Sequence, residues 1–211
     1  MLSDVSTDAC HGSDHLPCLF DIAYYGVRVA LTRPLPRQTT HPPNHQSADG
    51  RYNVLVKNIR MEQDVWRCIV VDAILLSLWP KLYISPFGVV DIGDSDQRTT
   101  GRVIHDLSCP VNKSLNAFTD KEAVCQAKYE HCDSIAAEII HQQREHPDTE
   151  VKEQAGDVAS AYGHVSIHNH CGHRFGGRLH RDNALVIDMY AAFGWFDLPG
   201  NYGAVGWSIV D

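Results

Sequence analysis

Short segments in the second half of the chain carry residue types suited to phosphate and metal chemistry. Asp157, in "GDVASAY", stands where an extended reading gives way to a turn. A carboxylate at a strand end suits a hard divalent cation, which prefers oxygen ligands and keeps phosphate and water in its shell. Arg102 opens the apolar run of "GRVIHDLS". A planar guanidinium meets phosphate oxygens two at a time and keeps its charge when partly desolvated. Tyr162 follows Asp157 by five positions, and "AFGWFDLPGNY" sets Phe193, Gly194 and Trp195 together ahead of Pro199. Each has a plain alternative: Asp157 as a helix N-cap, Tyr162 as a core aromatic, Arg102 as a surface arginine, and Phe193–Trp195 as a glycine turn entering a helix.

A different chemistry is offered by His164, His168, His170, His173 and His180, which crowd around Cys171. On a helix, His164 and His168 would share an ion such as zinc. Against that, Val165 and Ile167 alternate with polar residues, which is strand periodicity, and no second cysteine stands nearby. Ordinary surface histidines are the stronger reading, and a His/Cys metal-binding module the weaker one.

In their order along the chain, the first group of segments resembles the fingers and palm motifs of a reverse transcriptase. The resemblance spans about residues 80–207 and is closest to the enzymes of retroelements, particularly those that integrate by a tyrosine recombinase. "ISPFGVV" and "GRVIHDLS" resemble the paired fingers strands, with Ser85, Pro86 and Asp106 as structural matches; "VNKSLNAF" resembles the family's Ser-Val-Asn segment. The resemblance implies an RNA-directed DNA polymerase, a nucleotidyltransferase that adds deoxynucleotides to a primer 3′-hydroxyl on an RNA or DNA template. It implies Asp157 as the catalytic ligand of magnesium (Mg2+) and Arg102 on the triphosphate. It also implies Tyr162 as the residue that rejects a 2′-hydroxyl by bulk, and Phe193, Gly194 and Trp195 as a turn holding nucleotide and template. Two positions depart from the pattern: Leu198 replaces a small hydroxyl residue and Ala192 replaces proline.

The family's next motif, a hairpin with two adjacent aspartates, has no counterpart before Asp211. Two-metal phosphoryl transfer clamps ions about 3.5–4 Å apart, and one carboxylate does not hold both. Asp188, in "LVIDMY", aligns with a non-catalytic position of the family. The expectation is therefore a fragment without polymerase activity of its own. The alternative is a non-catalytic nucleic-acid-binding remnant.

These residues need elements to position them. Apolar runs around Val89 and Val103–Ile104, separated by "GDSDQRTTG", predict an antiparallel hairpin. Residues 60–79 predict a helix burying Trp66, Ile69, Val70, Ala73 and Ile74 and stopped by Pro80. A second helix, capped at Thr119 or Asp120, carries an apolar stripe of Ile135, Ala136, Ile139 and Ile140 and ends before Pro147. A strand leading to Asp157, short strands near 174–179 and 184–190, and a helix after Leu198 complete the reading. The fold class is α+β: an incomplete right-hand polymerase fold, with a fingers hairpin and a partial palm sheet with helices. Residues 1–50, rich in proline and polar residues between 33 and 50, read as extended or disordered; 51–150 form a fingers-like region and 151–211 a partial palm.

The chain has 211 residues, of which 44% are hydrophobic, enough for a sizeable core. A net charge of −8 argues mildly against a nucleic-acid partner, yet residues 51–120 carry eight Lys/Arg against eight Asp/Glu, so a neutral cleft is compatible with the surplus. Seven scattered cysteines without a CxxC pair suggest reduced thiols in an intracellular protein. No secretory signal is visible, and the apolar run 68–79 is shorter than the roughly 20 residues of a membrane span.

Overall fold

The structure is a computed structural model and describes residues 16–123, 131–153, 158 and 160–203. It is α+β, with helices packed around two small antiparallel sheets. Sheet one has the order β1-β5-β4, where β1 is Cys68–Asp72, β4 Gly176–Leu179 and β5 Ala184–Asp188. Sheet two is the hairpin of β2 (Phe87–Val90) and β3 (Arg102–His105), with Phe87 opposite His105 and Val90 opposite Arg102. The hairpin forms as its β-branched runs and Gly/Asp/Ser turn predict.

β5 organises the core. It is the central strand with both edges paired, and because both faces of the sheet are covered there, Leu185, Val186 and Ile187 read as one continuous apolar run. Side chains alternate across a strand. Val186 accordingly packs with Leu55, Ile59 and Phe87 on one face, while Leu185 and Ile187 pack with Ala73, Leu82 and Ile84 on the other.

The helix expected over 60–79 is replaced by three elements. Helix α3 (Tyr52–Asp64) ends before a left-handed Trp66 at φ 62°, the chain then enters β1, and a single turn, α4 (Leu75–Leu78), follows. A short apolar run fits either period, and five residues of "CIVVD" complete an antiparallel ladder with β5 from Cys68↔Asp188 to Asp72↔Ala184. Trp66, expected in the core, is 81% exposed.

Residues 16–50 also differ from expectation. Leu16–Tyr25 form helix α1, and Gln46–Gly50 form the short helix α2. The proline-rich stretch between them is extended, as expected, but it is fastened rather than loose. The Gln38 side chain donates to the Ile84 carbonyl (2.8 Å) and accepts from the Ile84 N–H (2.7 Å). The Asn44 side chain accepts from the Phe87 N–H (3.0 Å) and donates to the Arg178 carbonyl (2.9 Å). A side-chain amide offers one acceptor and two donors, so it pairs with backbone where a proline-broken segment has no regular ladder of its own.

The second predicted helix starts later than expected. Thr119 ends α5 (Leu115–Phe118), whereas α6 spans Cys132–Glu145 with His131 as its N-cap. It stops before Pro147 as predicted, but Ile135 and Ile140 are about half exposed, so the stripe does not enter the core of the described residues. The last helix, α7, begins at Leu198 and continues to residue 203. Among the described residues, no helix is long and apolar enough to cross a membrane.

Candidate functional site

A cavity of about 620 Å³ opens between the hairpin, α3, the 3₁₀ turn Ala161–His164 and the end of β5. Its walls include Glu62, Arg67, Arg102, His105, Tyr162, Asp188, Tyr190 and Phe193. Arg102, Tyr162 and Phe193, taken from separate sequence motifs, are thus brought to one cleft. The Arg102 guanidinium lies over the Phe193 ring at 5.5 Å from its centroid, a cation–π arrangement. The Tyr162 ring is 5.8 Å from Phe193 and edge-on to Tyr202 at 5.5 Å.

Gly194 and Trp195 stand behind this wall rather than in it. Gly194 adopts φ 121°, and a Cβ there would come 2.5 Å from the His105 carbonyl oxygen, so both conformation and space demand glycine. Asn116 holds the turn from both sides: its side chain donates to the Gly194 carbonyl (2.7 Å) and accepts from the Phe196 N–H (2.9 Å). Trp195 is buried and packs edge-on against Phe175 at 5.5 Å, so here it is a core residue. Asp157 lies outside the described residues; Val158, the next residue in the chain, lines the cavity.

Several wall residues were not singled out from sequence as ligands. His105 Nδ1 is 2.7 Å from Asp188 Oδ2, and its Nε2 is 3.1 Å from the Gly176 carbonyl. Asp188 aligns with a non-catalytic position in the sequence resemblance, and its place in the cleft comes from the pairing of β5 with its neighbours. Arg67 is 3.5 Å from Glu62, and its guanidinium lies where a Cβ on Gly163 would come within 2.8 Å. No local pattern flags these pairs; Asn116 alone had a signal, the "VNKSLNAF" segment.

Burial shapes the neighbouring titratable groups. The Cys68 thiol is pushed up to about 12, first by burial and then by the charges of Asp188 and Glu62, which makes it inert as a nucleophile. Asp197, 5% exposed, is pushed up to about 6 by burial, against a lowering hydrogen bond from Asn201.

The histidine group around Cys171 does not assemble as an ion site. His164 and His168 are on separate turns rather than one helix. His168 caps the turn Asn169–Arg174 by accepting from the His170 N–H at 3.2 Å, and the buried Cys171 sulfur accepts from the Val29 N–H at 3.5 Å. Among the described residues, the group close enough to share an ion is His131, Cys132 and Asp133, all exposed. There His131 Nδ1 already accepts from the Asp133 N–H as the N-cap of α6.

The chain matches no protein-family model and no curated protein.

Proposed function

We propose that the cleft binds a deoxynucleoside triphosphate and that the chain is reverse-transcriptase-like. Its ancestral reaction would be the templated addition of deoxynucleotides to the primer 3′-hydroxyl of an RNA or DNA template-primer. One observation carries this reading: Arg102, Tyr162 and Phe193, each chosen from a different motif, line a single cavity. Its volume, about 620 Å³, falls within the range of small-molecule sites. Arg102 and Arg67 supply guanidinium groups for phosphate oxygens. Phe193, Tyr162 and Tyr190 supply flat apolar surface for sugar or base.

Magnesium would enter as the counter-ion of the triphosphate. The carboxylates of the described walls are both engaged, Asp188 with His105 and Glu62 with Arg67. The described residues therefore do not furnish a two-ion site, and no chemical step is assigned to a metal. That engagement favours binding without nucleotide joining.

The test is equilibrium binding of a fluorescent deoxyadenosine triphosphate with magnesium to the full chain. Arg102→Ala is expected to weaken it by about 10- to 100-fold, the loss of a charge-assisted hydrogen bond. Tyr162→Ala is expected to narrow the preference for deoxy- over ribonucleotide. Failure of the wild-type chain to bind saturably withdraws the reading.

A further inference from the structure

The His105–Asp188 pair is the most fully constrained polar feature of the cleft. We infer that it is a positioning device that fixes the arginine- and aromatic-bearing walls relative to each other; the inference rests on the nucleotide reading above. His105 is a positioning residue, since both its ring nitrogens are taken by protein oxygens and neither is left for a ligand.

Hydrogen counting gives the form of the pair. A carbonyl oxygen only accepts, so Nε2 facing Gly176 O carries a hydrogen. In a neutral ring Nδ1 would then be bare, facing the Asp188 oxygen lone pair to lone pair at 2.7 Å. The contact therefore holds one further proton, placed on Nδ1 in an imidazolium–carboxylate pair. Its short length is that of a charge-assisted bond. With side-chain exposures of 3% for His105 and 18% for Asp188, mutual neutralisation keeps either charge from being buried alone.

The mechanical consequence follows from the backbone. His105 ends β3, three residues after Arg102, and its ring lies tilted against Phe87 with centroids 4.7 Å apart. Its N–H meets the Phe193 carbonyl at 3.4 Å, and its carbonyl oxygen abuts Gly194. The ring reaches β4 at Gly176 and β5 at Asp188, so one side chain joins the hairpin to the three-stranded sheet. On the far side, the Met189 N–H donates to the Arg67 carbonyl at 2.9 Å. Both cleft arginines thus ride on backbone held by this pair. Among the described residues, the other charged or titratable groups of the cleft walls are Arg102, Arg67, Glu62, Tyr162 and Tyr190, with the Cys68 thiol opposite Asp188 in the strand ladder.

The experiment compares wild type, His105→Gln, Asp188→Asn and the double variant of the full chain, with magnesium and labelled deoxyadenosine triphosphate as probe. Each single variant is expected to bind about tenfold more weakly, one charge-assisted hydrogen bond being lost. The double variant should bind no more weakly than either, because coupled residues lose one interaction together. Singles without effect, or a double variant whose loss is the product of theirs, overturn the inference. Ligand-free nitrogen-15 spectra of the wild-type imidazole provide a separate readout: two protonated ring nitrogens support the pair, and a bare Nδ1 overturns it. If wild type binds no nucleotide, the functional reading falls. The positioning role is then judged by whether Asp188→Asn moves the Gly194 amide and Arg102 Nε resonances, and unmoved resonances refute it. Should the variants fail to fold, the wild-type imidazole spectrum decides alone.

Discussion

Asp197 shows how a single side chain sets a pH dependence. Its carboxyl is buried, one oxygen has no hydrogen-bond partner among the described residues, and burial raises it to about 6. A raised carboxyl means that the folded state holds a proton which the unfolded chain, titrating near 4, has already released. Its contribution is therefore most favourable below about pH 4 and is lost as pH rises toward about 6. At about 1.4 kcal/mol for each unit of displacement, the cost above that window is on the order of 3 kcal/mol. Asp197→Asn, neutral and similar in shape, is expected to raise the melting temperature at pH 7–8 and to leave it nearly unchanged at pH 4. Melting curves of both proteins across pH 4–8 check this, and a difference that does not grow with pH contradicts it. The same residue scale explains which site residues were legible. Arg102, Tyr162 and Phe193 stand in short motifs, so their types and order mark them. The partners His105 and Asp188 are 83 positions apart, and only the pairing of strands brings them together.

Elements decide which of two locally acceptable patterns survives. The hairpin was legible because Gly, Asp and Ser between two β-branched runs favour a chain reversal, and the reversal then sets the register. Residues 68–72 were not, because a five-residue apolar run satisfies a buried helix or a buried strand equally. Here β5, more than 100 residues away in sequence, supplied the ladder that chose the strand. The proline-rich segment illustrates a different device, in which side-chain amides replace the missing ladder. Asn44→Leu would leave the buried Phe87 N–H and the partly buried Arg178 carbonyl without these partners. At about 1–3 kcal/mol for each orphaned group, the expected loss is roughly 2–6 kcal/mol. Urea unfolding measures that loss, and hydrogen exchange at the Phe87 amide locates it. Unchanged protection of that amide would show that the segment is not anchored there.

At the scale of the whole molecule, the cleft is a junction of parts that are distant in sequence: α3, the hairpin, the turn bearing Tyr162, the end of β5 and the Phe193 turn. A primer-extension assay belongs to this scale, because joining nucleotides needs every part at once. With magnesium or manganese, the full chain is expected to incorporate no deoxynucleotide, since the acids of the described walls are already paired with His105 and Arg67. Robust incorporation that disappears in Asp157→Asn would refute that expectation. Triphosphate binding without incorporation is the outcome consistent with the proposed function.

The sequence by itself determined the α+β character, the hairpin, the strands flanking Asn183 and the motif residues that meet in the cleft. These depend on local period, turn chemistry and short-range order, all readable over a dozen residues. Tertiary structure alone decided that residues 68–72 pair as a strand, that the proline-rich segment is pinned to β2 and β4, and that His105 meets Asp188. Such contacts join groups far apart along the chain, and their free energy exists only once β5 is in place between its neighbours. No local pattern records it.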